Sequence, residues 1–156
     1  MRWPFAILLW IVAACLLVFA HGVWSARRER GRSVLDAFAV FCIAWMGVAA
    51  AALGYLAFPH PLHNVFGISE LIAYQAPLLV ALAWRREASA RGAAAFSVVM
   101  YVLTLASVAF NLIVLADNAA LWETVGPVYG LVQRALFMCF FVWCAGAGWM
   151  LWARKA

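Results

Sequence analysis

Five long apolar runs, separated by short polar segments, dominate this chain of 156 residues and constrain what it can fold into. They cover approximately Pro4 to Trp24, Val34 to Phe58, Ile68 to Trp84, Ala93 to Ala116 and Val128 to Trp152. A helix rises about 1.5 Å per residue, so roughly 17 to 25 residues cross a hydrocarbon layer about 30 Å thick, and each run reaches that length. The runs are continuous rather than alternating, and in lipid every backbone donor must find its acceptor within its own segment, so helices are expected over strands. With 69% hydrophobic residues and a mean hydropathy of +0.99, the chain carries more apolar surface than a soluble domain of this size can hide. The expected fold is all-α: one domain over residues 1–156, an integral membrane bundle of five transmembrane helices.

The net charge of +5 is unevenly distributed, and its distribution implies an orientation. Arg27, Arg28, Arg30 and Arg32 follow the first run, Arg85, Arg86 and Arg91 the third, and Arg154 with Lys155 the fifth. The other two loops, Pro59 to Gly67 and Asp117 to Pro127, contain no Lys or Arg and carry Asp117 and Glu123. Short loops that retain Lys and Arg stay in the cytoplasm, which puts the N-terminus outside and the C-terminus inside; Arg2 alone opposes this. The first run reads as a retained helix rather than a signal peptide, because it is long, lacks a small-x-small site and is followed by arginines. These features point to a multi-pass protein of a bacterial cytoplasmic (inner) membrane.

The run boundaries carry chemical marks. Trp3, Trp24, Trp84, Trp122, Trp149 and Trp152 lie at or near run ends, where an indole prefers the headgroup level. Ser33 with Asp36 fits a capping box, and Pro127 suits a first helical turn, where its missing N–H is not needed. Small residues in run two (Gly47, Ala49 to Ala52, Gly54) and late in run five (Cys144, Gly146, Gly148) let helix backbones approach closely. Cys15, Cys42, Cys139 and Cys144 all fall inside apolar runs without a CxxC spacing and read as small buried side chains.

Polar groups inside the runs carry the functional expectation, since an ionisable side chain in hydrocarbon must pair or face water. Glu70 opens the third run, with Tyr74, Gln75 and Pro77 after it, while Thr104, Ser107 and Asn111 share a stripe of the fourth. Gln133 and Arg134 lie about two turns below Pro127. Counted inward from the outer loops, Gln75, Asn111 and Arg134 fall at a similar depth, roughly 8 to 12 Å. The expectation is a polar patch in the outer half of the bundle, formed by Glu70, Tyr74, Gln75, Asn111, Gln133 and Arg134 with His63 above it. Two readings compete for it: Glu70 and Arg134 neutralise each other as a structural lock, or the groups line a ligand pocket.

His60 and His63, as His-Pro-Leu-His in the outer loop, are weak candidates for a Zn or Cu site with nearby carboxylates. A solvated or helix-capping role suits them better, and neither a metal nor any other cofactor is expected. His21 and Asp36 fall at similar depth, which would allow a proton relay, though capping by Asp36 of its own helix explains it more simply. No nucleophile motif, phosphate loop, catalytic carboxylate pair or nucleic-acid-binding stripe is present, so catalysis is the third-ranked reading and no nucleic-acid partner is expected.

Leu53-Gly54-Tyr55-Leu56-Ala57-Phe58-Pro59 followed by His63-Asn64-Val65-Phe66-Gly67 resembles a segment of the bacterial membrane family called domain of unknown function 998. Gly130-Leu131-Val132-Gln133-Arg134, opening the last apolar run, is similar to that family's closing helix. The resemblance covers about Val34 to Arg154 in hydropathy; it implies a fold, points to His63 and Arg134, and carries no reaction with it. The leading expectation is a protein that binds or transports a lipid-like or small amphipathic ligand, with membrane lipids around it. The runner-up is a non-catalytic subunit or assembly factor with a membrane-protein partner.

Overall fold

The structure, a computed structural model, describes residues 3–27, 31–56, 59–116 and 119–153, without the side chains of 119 and 120. Arg2, Arg28, Arg30, Asp117, Arg154 and Lys155, on which part of the charge pattern rests, lie outside the described residues, as does the Ala57-Phe58 step. The helices are α1 (Trp3–Ala26), α2 (Val34–Tyr55), α3 (Pro61–Ala73), α4 (Ala76–Trp84), α5 (Arg91–Leu115), α6 (Ala119–Val125) and α7 (Tyr129–Ala153), with 3₁₀ turns at Ala88–Ala90 and Gly126–Val128. Together α3 and α4 make one span, so among the described residues five helical spans are long and apolar enough to cross a membrane. Each span packs on its neighbour in sequence, and α7 returns to α1, closing a ring of five. Short connections between antiparallel neighbours produce this arrangement.

The α1–α2 hairpin is zipped by a seven-residue repeat. Ala6, Ala13, Leu16, Ala20 and Val23 form the buried stripe of α1, facing Gly47 and Gly54 of α2. A Cβ on Gly47 would lie 3.1 Å from the Ala13 carbonyl, and one on Gly54 3.3 Å from the Ala6 carbonyl and 3.0 Å from Trp10 Nε1. Small residues thus let the two backbones touch, which is how helices gain dispersion contacts when lipid supplies little hydrophobic drive. Gly54→Val should therefore wedge the hairpin open and lower stability by about 1 to 3 kcal/mol, read as a drop in detergent melting temperature. An unchanged melting temperature would show that the crossing is looser than this.

α2 begins as expected: Ser33 Oγ accepts from Asp36 N, and Asp36 Oδ2 accepts from Ser33 N at 2.8 Å, closing a capping box. The third span departs from expectation twice. It starts seven residues earlier than Ile68, because His60 caps it through its ring and Pro61 takes the first position, where no N–H is required. It then breaks at Tyr74-Gln75, between α3 and α4. Pro77 has no N–H to offer the Ala73 carbonyl and its ring crowds that turn, so the helix cannot run through. The connection between the fourth and fifth spans, expected as a loop, contains α6 instead, and Pro127 sits in the 3₁₀ turn leading into α7.

The interior is filled by Trp84, Trp143, Tyr74, Phe140, Ile43 and Met46, all nearly inaccessible. Outward faces are apolar too: Val98, Val99, Val102, Leu103, Phe110, Leu112 and Ile113 of α5 are exposed. Such continuous exposed apolar surface is unlike that of a water-soluble monomer and is compatible with a multi-pass membrane protein.

Candidate functional site

The break in the third span lies at mid-length and is surrounded by polar side chains. Glu70 is buried in the last turn of α3, where the Tyr74 hydroxyl donates to its Oε2 at 3.3 Å. Gln75, at the break, donates from Nε2 to the Leu71 carbonyl at 3.0 Å and accepts at Oε1 from the Tyr101 hydroxyl of α5 at 2.8 Å. The Gln75 side chain therefore restores a bond to one carbonyl of the interrupted helix and ties it to the neighbouring span. On the other side, Trp45 Nε1 of α2 donates to both the carbonyl and the hydroxyl of Ser69, each at 3.2 Å. The Tyr74 ring meets Phe140 of α7 edge-on, centroids 5.8 Å apart, and Phe140 in turn contacts Trp143 at 5.4 Å. Helices α2, α5 and α7 thus all converge on the break.

Because the span begins at Pro61, its depths differ from those counted from Ile68. Glu70 lies about 14 Å and Gln75 about 21 Å along the helix, and Tyr101 lies about 21 Å from the C-terminal end of α5. The Gln75–Tyr101 bond agrees with this match. Asn111 and Arg134, about 6 and 8 Å from their helix ends, are shallower, so the expected single layer of polar groups separates into two.

The members of the expected patch do not all come together. Gln133 and Arg134 are exposed on the outside of α7, and among the described residues no ion pair joins Glu70 to Arg134. The expectation of a Glu70–Arg134 lock is corrected on that ground: Glu70 is buried whereas both α7 side chains are exposed, so the two charges do not pair. Asn111 donates to the Ser107 carbonyl at 2.8 Å and Thr104 to the Met100 carbonyl at 2.8 Å, each satisfied on its own helix. His63 bonds through Nδ1 to the Leu56 carbonyl at 3.0 Å, and Leu62 N donates to His60 Nδ1, so both rings serve the backbone of the helix start. No group of three His, Cys, Asp or Glu side chains suited to a metal ion occurs among the described residues.

A second polar cluster, absent from the sequence reading, lies where the charge pattern puts the cytoplasmic end. Arg27, just past α1, is buried and pairs with Asp36 (Nε to Oδ1, 3.0 Å) and with Glu87 of the α4–α5 connection. Trp84 Nε1 donates to Asp36 Oδ1 at 3.2 Å. Asp36 is therefore more than a cap: it joins α1, α2 and the end of α4. His21 is exposed, bonds Ser25 at 3.3 Å and does not reach Asp36, which removes the relay. One signal was available in the sequence: Arg27 continues the buried heptad Ala6, Ala13, Ala20, whereas Arg32 stacks over Trp24 at 4.0 Å and stays exposed.

A cleft of about 460 Å³ opens at the other end of the α1–α2 hairpin, lined by Trp3, Ala6, Trp10, Gly54, Tyr55, Pro59 and His60. Its aromatic lining suits the headgroup level, but it shares no residue with the break. No known family model matches this chain, no curated protein matches it, and no solved structure matches it.

Proposed function

We propose that this protein resides in a bacterial cytoplasmic membrane, N-terminus outside, and binds or carries a lipid-like or small amphipathic ligand at the break in its third span. The observation behind this reading is the coincidence, at mid-length, of a proline-interrupted helix, the buried Glu70–Tyr74 pair and the Gln75–Tyr101 bond to the next span. Interrupted helices are retained in membranes where irregular backbone is shielded by protein or lines a cavity, and they mark binding sites in carriers. A few convergent polar groups in an otherwise apolar setting orient a ligand's head while its body lies among aromatic side chains. The similarity to domain of unknown function 998 belongs to the same proposal and adds His63 and Arg134 as residues to vary.

A second reading, a non-catalytic subunit of a larger complex, is favoured by α7, whose exposed Gln133 and Arg134 would meet a partner's polar groups. The two readings separate on purification. A ligand binder is stable alone and brings an amphiphile with it, identifiable by mass spectrometry, and that species is depleted at least several-fold in the folded double variant Gln75→Leu with Tyr101→Phe. An identical co-purified profile in a normally abundant variant would count against the break as the site. Orientation has its own expected result: in whole cells an impermeant thiol reagent labels a cysteine at Glu123 and spares one at Ser89. The reverse pattern would overturn the N-out arrangement.

A further inference from the structure

We infer that the ligand at the break is a lipophilic monocation, an amine or quaternary ammonium on an apolar body, with the Glu70 carboxylate as its counter-charge. The inference rests on the binding reading above and adds the charge of the ligand.

Glu70 is 4% exposed, and among the described residues no Arg, Lys or His lies within 4 Å of its carboxylate. The contrast with the cytoplasmic end of the same bundle is informative. There, Asp36 has Arg27 as a counter-ion as well as hydrogen bonds from Ser33 and Trp84. At Glu70 the described residues supply one hydroxyl, from Tyr74, at a long 3.3 Å. A purely structural role would be met by Gln, which accepts the same bond without any charge to desolvate. An acid held here is favoured when a proton or an external cation occupies it, because an ionised carboxylate in hydrocarbon without a partner is costly.

The surroundings select between the cations. Tyr74, whose hydroxyl reaches the carboxylate, begins a ring series that runs through Phe140 to Trp143, with centroid separations of 5.8 and 5.4 Å. Ring faces attract soft organic cations and shelter their apolar bodies, whereas a hard metal ion wants several oxygens, which this site does not offer. Access is provided by the break itself. α3 packs chiefly on α2, while α4 is held by both α2 and α5, so α3 is the less confined half of the span and the side from which a ligand would approach Glu70.

The test uses the full chain in lipid nanodiscs with two probes of nearly equal size and opposite charge, tetraphenylphosphonium and tetraphenylborate. Tetraphenylphosphonium should bind wild type saturably and at least tenfold more weakly to Glu70→Gln, with Glu70→Asp intermediate; melting curves establish that the variants fold. In parallel, dicyclohexylcarbodiimide should modify Glu70 in wild type, detected by peptide mass spectrometry, with tetraphenylphosphonium slowing the modification at least fivefold and tetraphenylborate leaving it unchanged. Equal affinity in Glu70→Gln, or equal protection by both probes, would overturn the inference while leaving an uncharged ligand at the break. Absence of binding by either probe in a preparation that still co-purifies an amphiphile would also overturn it alone. If nothing co-purifies and neither probe binds, the binding reading falls with it. Should Glu70→Gln fail to fold, the protection experiment on wild type decides, and a Glu70 unreactive to carbodiimide leaves the decision to the binding comparison.

Discussion

Replacing Arg27 with Met should be among the most damaging single changes in this protein. Arg27 is a cation shared by Asp36 and Glu87 in a buried cluster, and its removal takes from Asp36, 1% exposed, the counter-ion it has among the described residues. Breaking such a pair from one side typically costs about 3 to 5 kcal/mol, because the surviving charge stays desolvated. The expected result is a large fall in melting temperature and in membrane abundance. Replacing both, Arg27→Met with Asp36→Asn, should recover part of the loss, since no buried charge remains and the asparagine oxygen can still accept from one of its two present donors, Trp84 or Ser33. Strict additivity of the two single effects would show that the ion pair contributes nothing as a pair. Arg32→Met provides the comparison: its side chain is exposed over Trp24, and its loss should change stability by less than about 1 kcal/mol.

The second large effect is expected at Trp143. Its indole is fully buried, donates to Ser97 Oγ of α5 at 2.9 Å, meets Phe19 of α1 edge-on at 5.9 Å and lies 5.4 Å from Phe140. It is therefore a side chain that contacts both α5 and α1 from α7. Trp143→Ala removes those contacts and leaves a cavity, for which about 3 to 5 kcal/mol is typical in a packed interior. Trp143→Phe keeps most of the packing and loses the hydrogen bond to Ser97, so about 1 kcal/mol is expected. Detergent melting of the two variants checks the ranking, and equal losses would mean that the bond to Ser97, rather than packing, docks α7.

The contrast between Arg27 and Arg134 shows how charges in a bundle divide between structure and surface. Both were visible in the sequence, Arg27 just after the first apolar run and Arg134 inside the fifth. Arg27 falls on the buried heptad of its helix and finds two carboxylates, whereas Arg134 lies on the outer side of α7. Glu70 is the reverse case, an acid expected to meet Arg134 and instead held by a single tyrosine hydroxyl. In a membrane protein, the rotation of a helix about its own axis decides these outcomes, and α7 carries apolar residues on every side, so its sequence scarcely indicates which face turns inward.

What the sequence determined by itself is the set of elements: five apolar spans, the approximate ends of all but the third, the Ser33–Asp36 cap and the charge asymmetry of the loops. Each follows from local chemistry, namely segment length against bilayer thickness, side-chain capping and the retention of arginine, and needs no knowledge of neighbours. The tertiary structure decided which polar groups meet. It moved the start of the third span to Pro61, broke that span before Pro77, paired Gln75 with Tyr101 and Arg27 with Asp36 and Glu87, and separated Glu70 from Arg134. Those outcomes depend on helix rotation and on partners dozens of residues apart, and hydrophobic periodicity carries little information about rotation once nearly every face of a helix is apolar.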